Sequence, residues 1–151
     1  MAESKGRKAL YEAMFLVSQA EAHDFGSIVE HIKDILTTRG HVDMIAMRKW
    51  DERRLAYEIK GQKRGVYFLV YFEADPVHIE PIERACNISE RIMRVLLTRA
   101  DHLTREEMAS FDGAQELADE AKLRAARAAE AEAKAAAEAT AQPIEAAEAT
   151  A

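Results

Sequence analysis

The sequence predicts an α+β fold in the order strand, helix, strand, strand, helix, strand, and three observations carry that prediction. Apolar residues recur with a helical period in two stretches before residue 100, while four other stretches are apolar runs or alternations rich in aliphatic and aromatic side chains. Turn-forming and helix-stopping residues separate these stretches. Beyond residue 113 the apolar content is almost all alanine, which buries little area, so the core must come from the earlier chain.

Residues 8–17 (KALYEAMFLV) are dense in aliphatic and aromatic side chains and short enough for a strand with little exposed surface. In residues 24–39 Phe25, Ile28, Val29, Ile32, Ile35 and Leu36 fall three and four apart, which sets them on one helix face. Asp24 is the expected N-cap and Gly40 the expected stop. Residues 42–59 lack a helical stop signal, and Leu55, Tyr57 and Ile59 alternate with polar or small neighbours, which predicts a long strand bulged near Trp50 and Asp51. Residues 60–65 (KGQKRG) form a turn, residues 66–73 (VYFLVYFE) the third strand, and the two strands an antiparallel hairpin.

Asp75 and Pro76 break the chain ahead of a second helix, expected from about His78 to Cys86 with Ile79, Ile82, Ala85 and Cys86 inward. A start there keeps Pro81 in the first turn, where no hydrogen bond is lost. Residues 93–98 supply the fourth strand. Two interleaved right-handed βαβ units would place both helices on one face of a four-stranded antiparallel sheet and leave the other face open, which is the ferredoxin-like βαββαβ architecture. Residues 8–100 are therefore expected to be the folded domain and residues 101–151 an acidic, Ala/Glu-rich tail. That tail would be helical or disordered, bury little through Leu117 and Leu123, and be disordered after Gln142 and Pro143.

The charge divides in the same place. Residues 1–100 carry 16 Lys+Arg against 15 Asp+Glu, a net of +1, and residues 101–151 carry 5 against 12, a net of −7. The tail alone makes the protein acidic, so a basic surface on the body is compatible with the overall charge of −6. A single cysteine, Cys86, fits a reducing compartment, and the N-terminus has no apolar run of signal-peptide length, so the expected location is the cytoplasm. No stretch is apolar enough to span a membrane.

Cations gather ahead of the first strand (Lys5, Arg7, Lys8), in the second (Arg48, Lys49, Arg53, Arg54), in the turn (Lys60, Lys63, Arg64) and around the fourth (Arg91, Arg94, Arg99). Several such groups along one path can hold phosphates, with Tyr11, Tyr57, Tyr67 or Tyr71 available to stack on bases. A solvated sheet face with Arg53 paired to Asp51 and Arg91 to Glu90 is the ordinary alternative. The five histidines are scattered without a helical metal-binding pair, and Cys86 on an apolar helix face is most simply core, so neither metal nor cofactor is expected. An acylphosphatase-like enzyme would need an arginine in the loop after the first strand, but residues 18–24 (SQAEAHD) have none and carry two carboxylates. A ferredoxin-like regulatory domain binding a small ligand is the rival reading, and it lacks the glycine-rich loop that would cradle the ligand.

The run Trp50-Asp51-Glu52-Arg53-Arg54-Leu55-Ala56-Tyr57-Glu58-Ile59, with Tyr11-Glu12 and Gly65-Val66-Tyr67-Phe68, resembles bacterial ribosomal small-subunit protein six over residues 8–100. Asp51 departs from the glycine usual there and Glu58 from a frequent proline. The resemblance implies a ferredoxin-like fold, no enzymatic activity, a place in the small ribosomal subunit, contact with small-subunit ribosomal RNA and a heterodimer with small-subunit protein eighteen. It directs attention to Arg53 and Arg54 as motif cations. Arg48, Lys49, Tyr57, Arg91, Arg94 and Arg99 complete the expected RNA-binding set, with packing through a hydrogen-bonded hydroxyl as the alternative for Tyr57. Met47, Trp50 and Tyr67 are the expected partner-protein contacts, and burial of Met44, Met47 and Trp50 against the protein's own helices is the alternative to a partner-binding patch on the second strand.

Overall fold

The structure, a computed structural model, describes residues 8–148, with side chains described through residue 140. It contains β1 (Ala9–Ser18), α1 (Phe25–Gly40), β2 (Asp43–Ile59), β3 (Gln62–Ala74), α2 (Ile79–Ile88), β4 (Arg94–Arg99), α3 (Arg105–Ser110) and α4 (Ala114–Glu148). Short 3-10 turns, Glu21–Asp24 and Pro76–His78, lead into α1 and α2. The strands lie in the order β2-β3-β1-β4, every neighbouring pair antiparallel. This is the ferredoxin-like arrangement expected from the element order.

Alternation along the strands sorts side chains between two faces. Phe15 and Val17 of β1 and Val66, Phe68 and Phe72 of β3 meet Phe25, Ile28, Ile32 and Leu36 of α1 and Ile82 and Cys86 of α2 in the main core. Burial pushes the Cys86 thiol up to about 12, so it packs as a small apolar group and is not poised to react.

Three local expectations change. The Asp24 side chain makes no cap hydrogen bond, because the 3-10 turn runs directly into α1. The left-handed residue closing α1 is His41, at φ 47°, and Gly40 is needed for packing: a Cβ there would lie 2.4 Å from Ile82 Cδ1. The hairpin turn is only Lys60-Gly61, both at positive φ (49° and 77°), the geometry that matches the right-handed twist of the two strands. β3 therefore starts at Gln62 and not at Val66. The bulge falls where expected, since Lys49 pairs with Phe68 and Asp51 with Tyr67, leaving Trp50 out of register.

The largest departure is in the C-terminal segment. Expected to bury little, it wraps the body instead. After β4, at one edge of the sheet, the chain crosses the second face through α3, whose Met108 is buried with Ala46, Leu69, Tyr71 and Ala100. Thr104 starts α3 with a reciprocal capping box to Glu107. The chain then reaches the opposite edge, where Gly113 N–H donates to Met47 O (3.0 Å) and Asp112 Oδ1 accepts from Met47 N–H (3.2 Å). α4 returns along the helical side, inserting Leu117 into the main core, and runs on to Glu148, past Gln142 and Pro143 where disorder was expected. Periodicity gave no warning, because the contacts are few and widely spaced: Leu103, Met108, Phe111 and Leu117, with a set of polar anchors. The second face is thus half covered, at the end holding Leu10, Ile45 and Tyr71, and open at the other.

Candidate nucleic-acid and partner interface

The open half of the second face is built by the far ends of all four strands. Leu16 of β1, Leu55 and Ile59 of β2, and Tyr67 of β3 form a small apolar cluster with Met93. β4 adds Arg94 and Leu96 along its outward alternation, and a groove of about 420 Å³ runs between these side chains. Its rim is unusually apolar for solvent: Trp50 is 43% exposed, Tyr57 61% and Leu96 64%. Large side chains left out together on a sheet face that could have been polar mark a contact surface.

The bulge puts Trp50 on this face. Its ring meets Tyr67 edge-on (centroids 5.7 Å apart) and the Arg53 guanidinium lies 5.0 Å from its centroid. Arg53 Nε also donates to Asp51 Oδ2 at 2.8 Å, and that hydrogen bond holds the Asp51 carboxyl below the usual carboxylate range. Asp51, at a position where glycine is usual in the resembled family, thus supplies the partner of the motif arginine. The pair is solvent-exposed and therefore easily exchanged for a stronger anion. Across the groove, Arg94 Nη1 donates to the Tyr57 hydroxyl at 3.0 Å.

In β3, pairing with β1 begins only at Gly65, so Arg54–Ile59 and Gln62–Arg64 form an irregular two-stranded arm, paired through Arg54–Arg64 and Ile59–Gln62, whose Leu55 and Ile59 pack back onto the groove cluster. Arg54, Lys60, Lys63 and Arg64 outweigh its single acid, Glu58, which is 3.9 Å from Lys63. Arg54 and Arg64 face each other across the ladder, and neither they nor Lys60 form an ion pair among the described residues. Like charges paired across strands are unfavourable unless an anion is to be shared.

The eight cationic and aromatic residues expected to bind RNA are thus not brought together as one set. Arg53, Arg54, Tyr57 and Arg94 gather at the open half-face and the base of the arm. Arg48 is tucked under the covering segment, 5.5 Å from the Phe111 ring centroid, its Nε buried without a hydrogen-bond partner among the described residues. Lys49 points to the helical side and is held by Glu120 (2.7 Å) and Glu52 (3.6 Å). Arg91 pairs with Glu21 at 2.8 Å, not with Glu90, and Arg99 pairs with Asp101 at the remote end of β4. Of the expected partner contacts, Trp50 and Tyr67 are on the groove, but Met47 is corrected: it is 3% exposed, in the main core, because the bulge reverses the side-chain phase between it and the groove residues. Lys60 and Arg64 on the arm and Leu96 on the rim were outside the expected set. The dense KGQKR run signals the first two, while nothing local marks Leu96, whose exposure depends on where α3 stops.

Similarity to known proteins agrees with this architecture. The profile describing Ribosomal protein S6 matches residues 10–99. The chain is 31% identical over 90 residues to small ribosomal subunit protein bS6 of Desulforamulus reducens, covering 59% of this chain and 94% of the relative. It is 33% identical over 92 residues to bS6 of Heliobacterium modesticaldum, covering 60% of this chain and 95% of that one. The crystal structure of 30S ribosomal protein S6 from Thermotoga maritima superposes with a TM-score of 0.58 at 25% identity, covering 69% of this chain and 98% of its own. Among the described residues no helix is long and apolar enough to cross a membrane. The C-terminal wrap lies outside the matched profile, whereas the sheet, the groove and the basic arm lie within it, and on that match the chain belongs to the ribosomal protein S6 family of structural components of the small ribosomal subunit.

Proposed function

We propose that this chain helps assemble the bacterial small ribosomal subunit, in the cytoplasm, by binding small-subunit ribosomal RNA together with small-subunit protein eighteen. Residues 8–100 are the ribosome-binding unit in this reading and residues 101–151 an addition to it. The RNA backbone would run along the arm, with Arg54, Lys60 and Arg64 on phosphates and Arg53 and Arg94 exchanging their internal partners for them. Tyr57 would stack on an unpaired base or keep orienting Arg94. The partner protein would cover Trp50, Tyr67 and Leu96, removing the exposed apolar rim from water.

The observation that carries the proposal is that this rim lies beside an arm whose Arg54, Lys60 and Arg64 form no ion pair among the described residues. Binding to a fragment of the RNA's central domain, titrated with salt with and without protein eighteen, tests it. Arg54→Ala and Arg94→Ala should each reduce the slope of log K against log salt by about 0.9 for every phosphate that the removed guanidinium neutralises. Leu96→Asp should abolish the enhancement by the partner while leaving that slope intact. Unchanged slopes in both arginine variants would remove the arm and groove from the RNA interface.

A further inference from the structure

The segment after β4 reaches two of the body's cations, each through a defined set of bonds. Residues 112 and 113 occupy the Met47 N–H and C=O on the edge of β2, which would otherwise be free. Gly113 fits there because it has no side chain: a Cβ would lie 2.8 Å from Arg48 Cβ and 3.4 Å from Arg48 Cα. On the second face Phe111 then covers the Arg48 guanidinium. On the helical side Glu120 accepts from Lys49 Nζ.

Arg124 anchors the helix that delivers Glu120. It donates to Ala22 O (3.1 Å), Glu52 (2.8 Å) and Glu120 (2.7 Å), and its guanidinium is 5.1 Å from the Phe25 centroid. α4 lies close enough to α1 that a Cβ on Gly26 would be 3.7 Å from Ala121 Cβ. The clasp thus straddles one strand, with an aromatic ring over one cation and a carboxylate on the next.

We infer that residues 111–124 form an autoinhibitory clasp that withholds Arg48 and Lys49 from polyanions while the protein is free. The inference rests on the RNA-binding reading above and deepens it. With the clasp closed the arm and the groove cations meet RNA, and opening it adds Arg48 and Lys49 along the same strand. A ribosomal protein waiting for its site would thereby engage unrelated RNA more weakly.

Gly113→Val tests this in the full chain, because it forces the crossing off β2 without altering any charge. The probe is polyuridylate, with affinity measured from 50 to 200 mM salt. Two newly available cations, with the remaining Lys49–Glu52 pair exchanged for phosphate, add about 1.4 to the salt slope on a single strand, so the affinity ratio across that range should grow about 7-fold over the parent. Adding Arg48→Gln and Lys49→Gln to Gly113→Val should abolish the gain. Near-UV circular dichroism of Trp50 and Tyr67 reports whether the body stays folded. If it does not, Leu117→Gln, also neutral in charge, opens the clasp instead, because an amide without a hydrogen-bond partner in the apolar core drives the helix off it. A parent that binds with an unchanged slope in the opened variant overturns the clasp and leaves the RNA reading standing. A chain that shows no salt-dependent binding, closed or opened, overturns both.

Discussion

Replacing Leu117 with alanine separates a docked C-terminal helix from a solvated one. Leu117 is 5% exposed and is the α4 side chain buried in the main core, whereas Leu123, two turns on, faces solvent. Leucine-to-alanine changes in cores cost about 2–5 kcal/mol, the spread reflecting how far the site can collapse. Here one wall is a single helix that can settle inward, so the lower part of the range applies, about 2–3 kcal/mol. At about 4 °C per kcal/mol for a domain of this size, the Tm should fall by about 8–12 °C. Urea unfolding followed by far-UV circular dichroism should show a lower midpoint with an unchanged m-value, because the same surface is still exposed in one transition. Leu123→Ala should stay within about 0.5 kcal/mol of the parent. Equal stabilities for the two variants would mean that α4 does not pack on the body, and the clasp would lose its anchor.

Two further outcomes follow from the packing and the charges. Gly40→Ala should destabilise by about 1–3 kcal/mol in thermal melts, since the new Cβ runs into Ile82 Cδ1 (2.4 Å), Ile82 Cγ1 (2.8 Å) and Val42 Cγ1 (2.8 Å); an unchanged Tm would rule out this packing role for the glycine. Burial pulls the Glu120 carboxyl upward, but hydrogen bonds from Lys49 and Arg124 outweigh it and hold the group below its ordinary value of 4.5. A carboxyl depressed by folding stabilises above its unfolded value and loses that contribution as pH falls through the folded one. The stability difference between the parent and Glu120→Gln should therefore be greatest near neutral pH and shrink on acidification below about 4.5, and a difference independent of pH would rule out the ion network as its origin.

The sequence by itself determined the body of this protein. Every strand and helix of the βαββαβ order was legible, because each buries a continuous periodic face: Phe25, Ile28, Ile32 and Leu36 repeat at helical spacing, and residues 66–73 could only be a buried strand. The family resemblance was legible in one run around Arg53 and Arg54, and the bulge at Trp50 in the break of alternation there. Tertiary structure alone decided which of the cations are available. Arg48, Lys49 and Arg53 are near neighbours in sequence, yet one lies under Phe111, one is neutralised by Glu120, and one sits on the open groove. Met47 likewise reads as either a partner contact or a core residue until the bulge three residues later is located, because the bulge reverses the phase of every side chain beyond it. The physical reason is range: periodicity records what a segment does with its own faces. What covers a face is set by chain that arrives from 65 residues away, such as Asp112 at Met47, through contacts too few to leave a pattern.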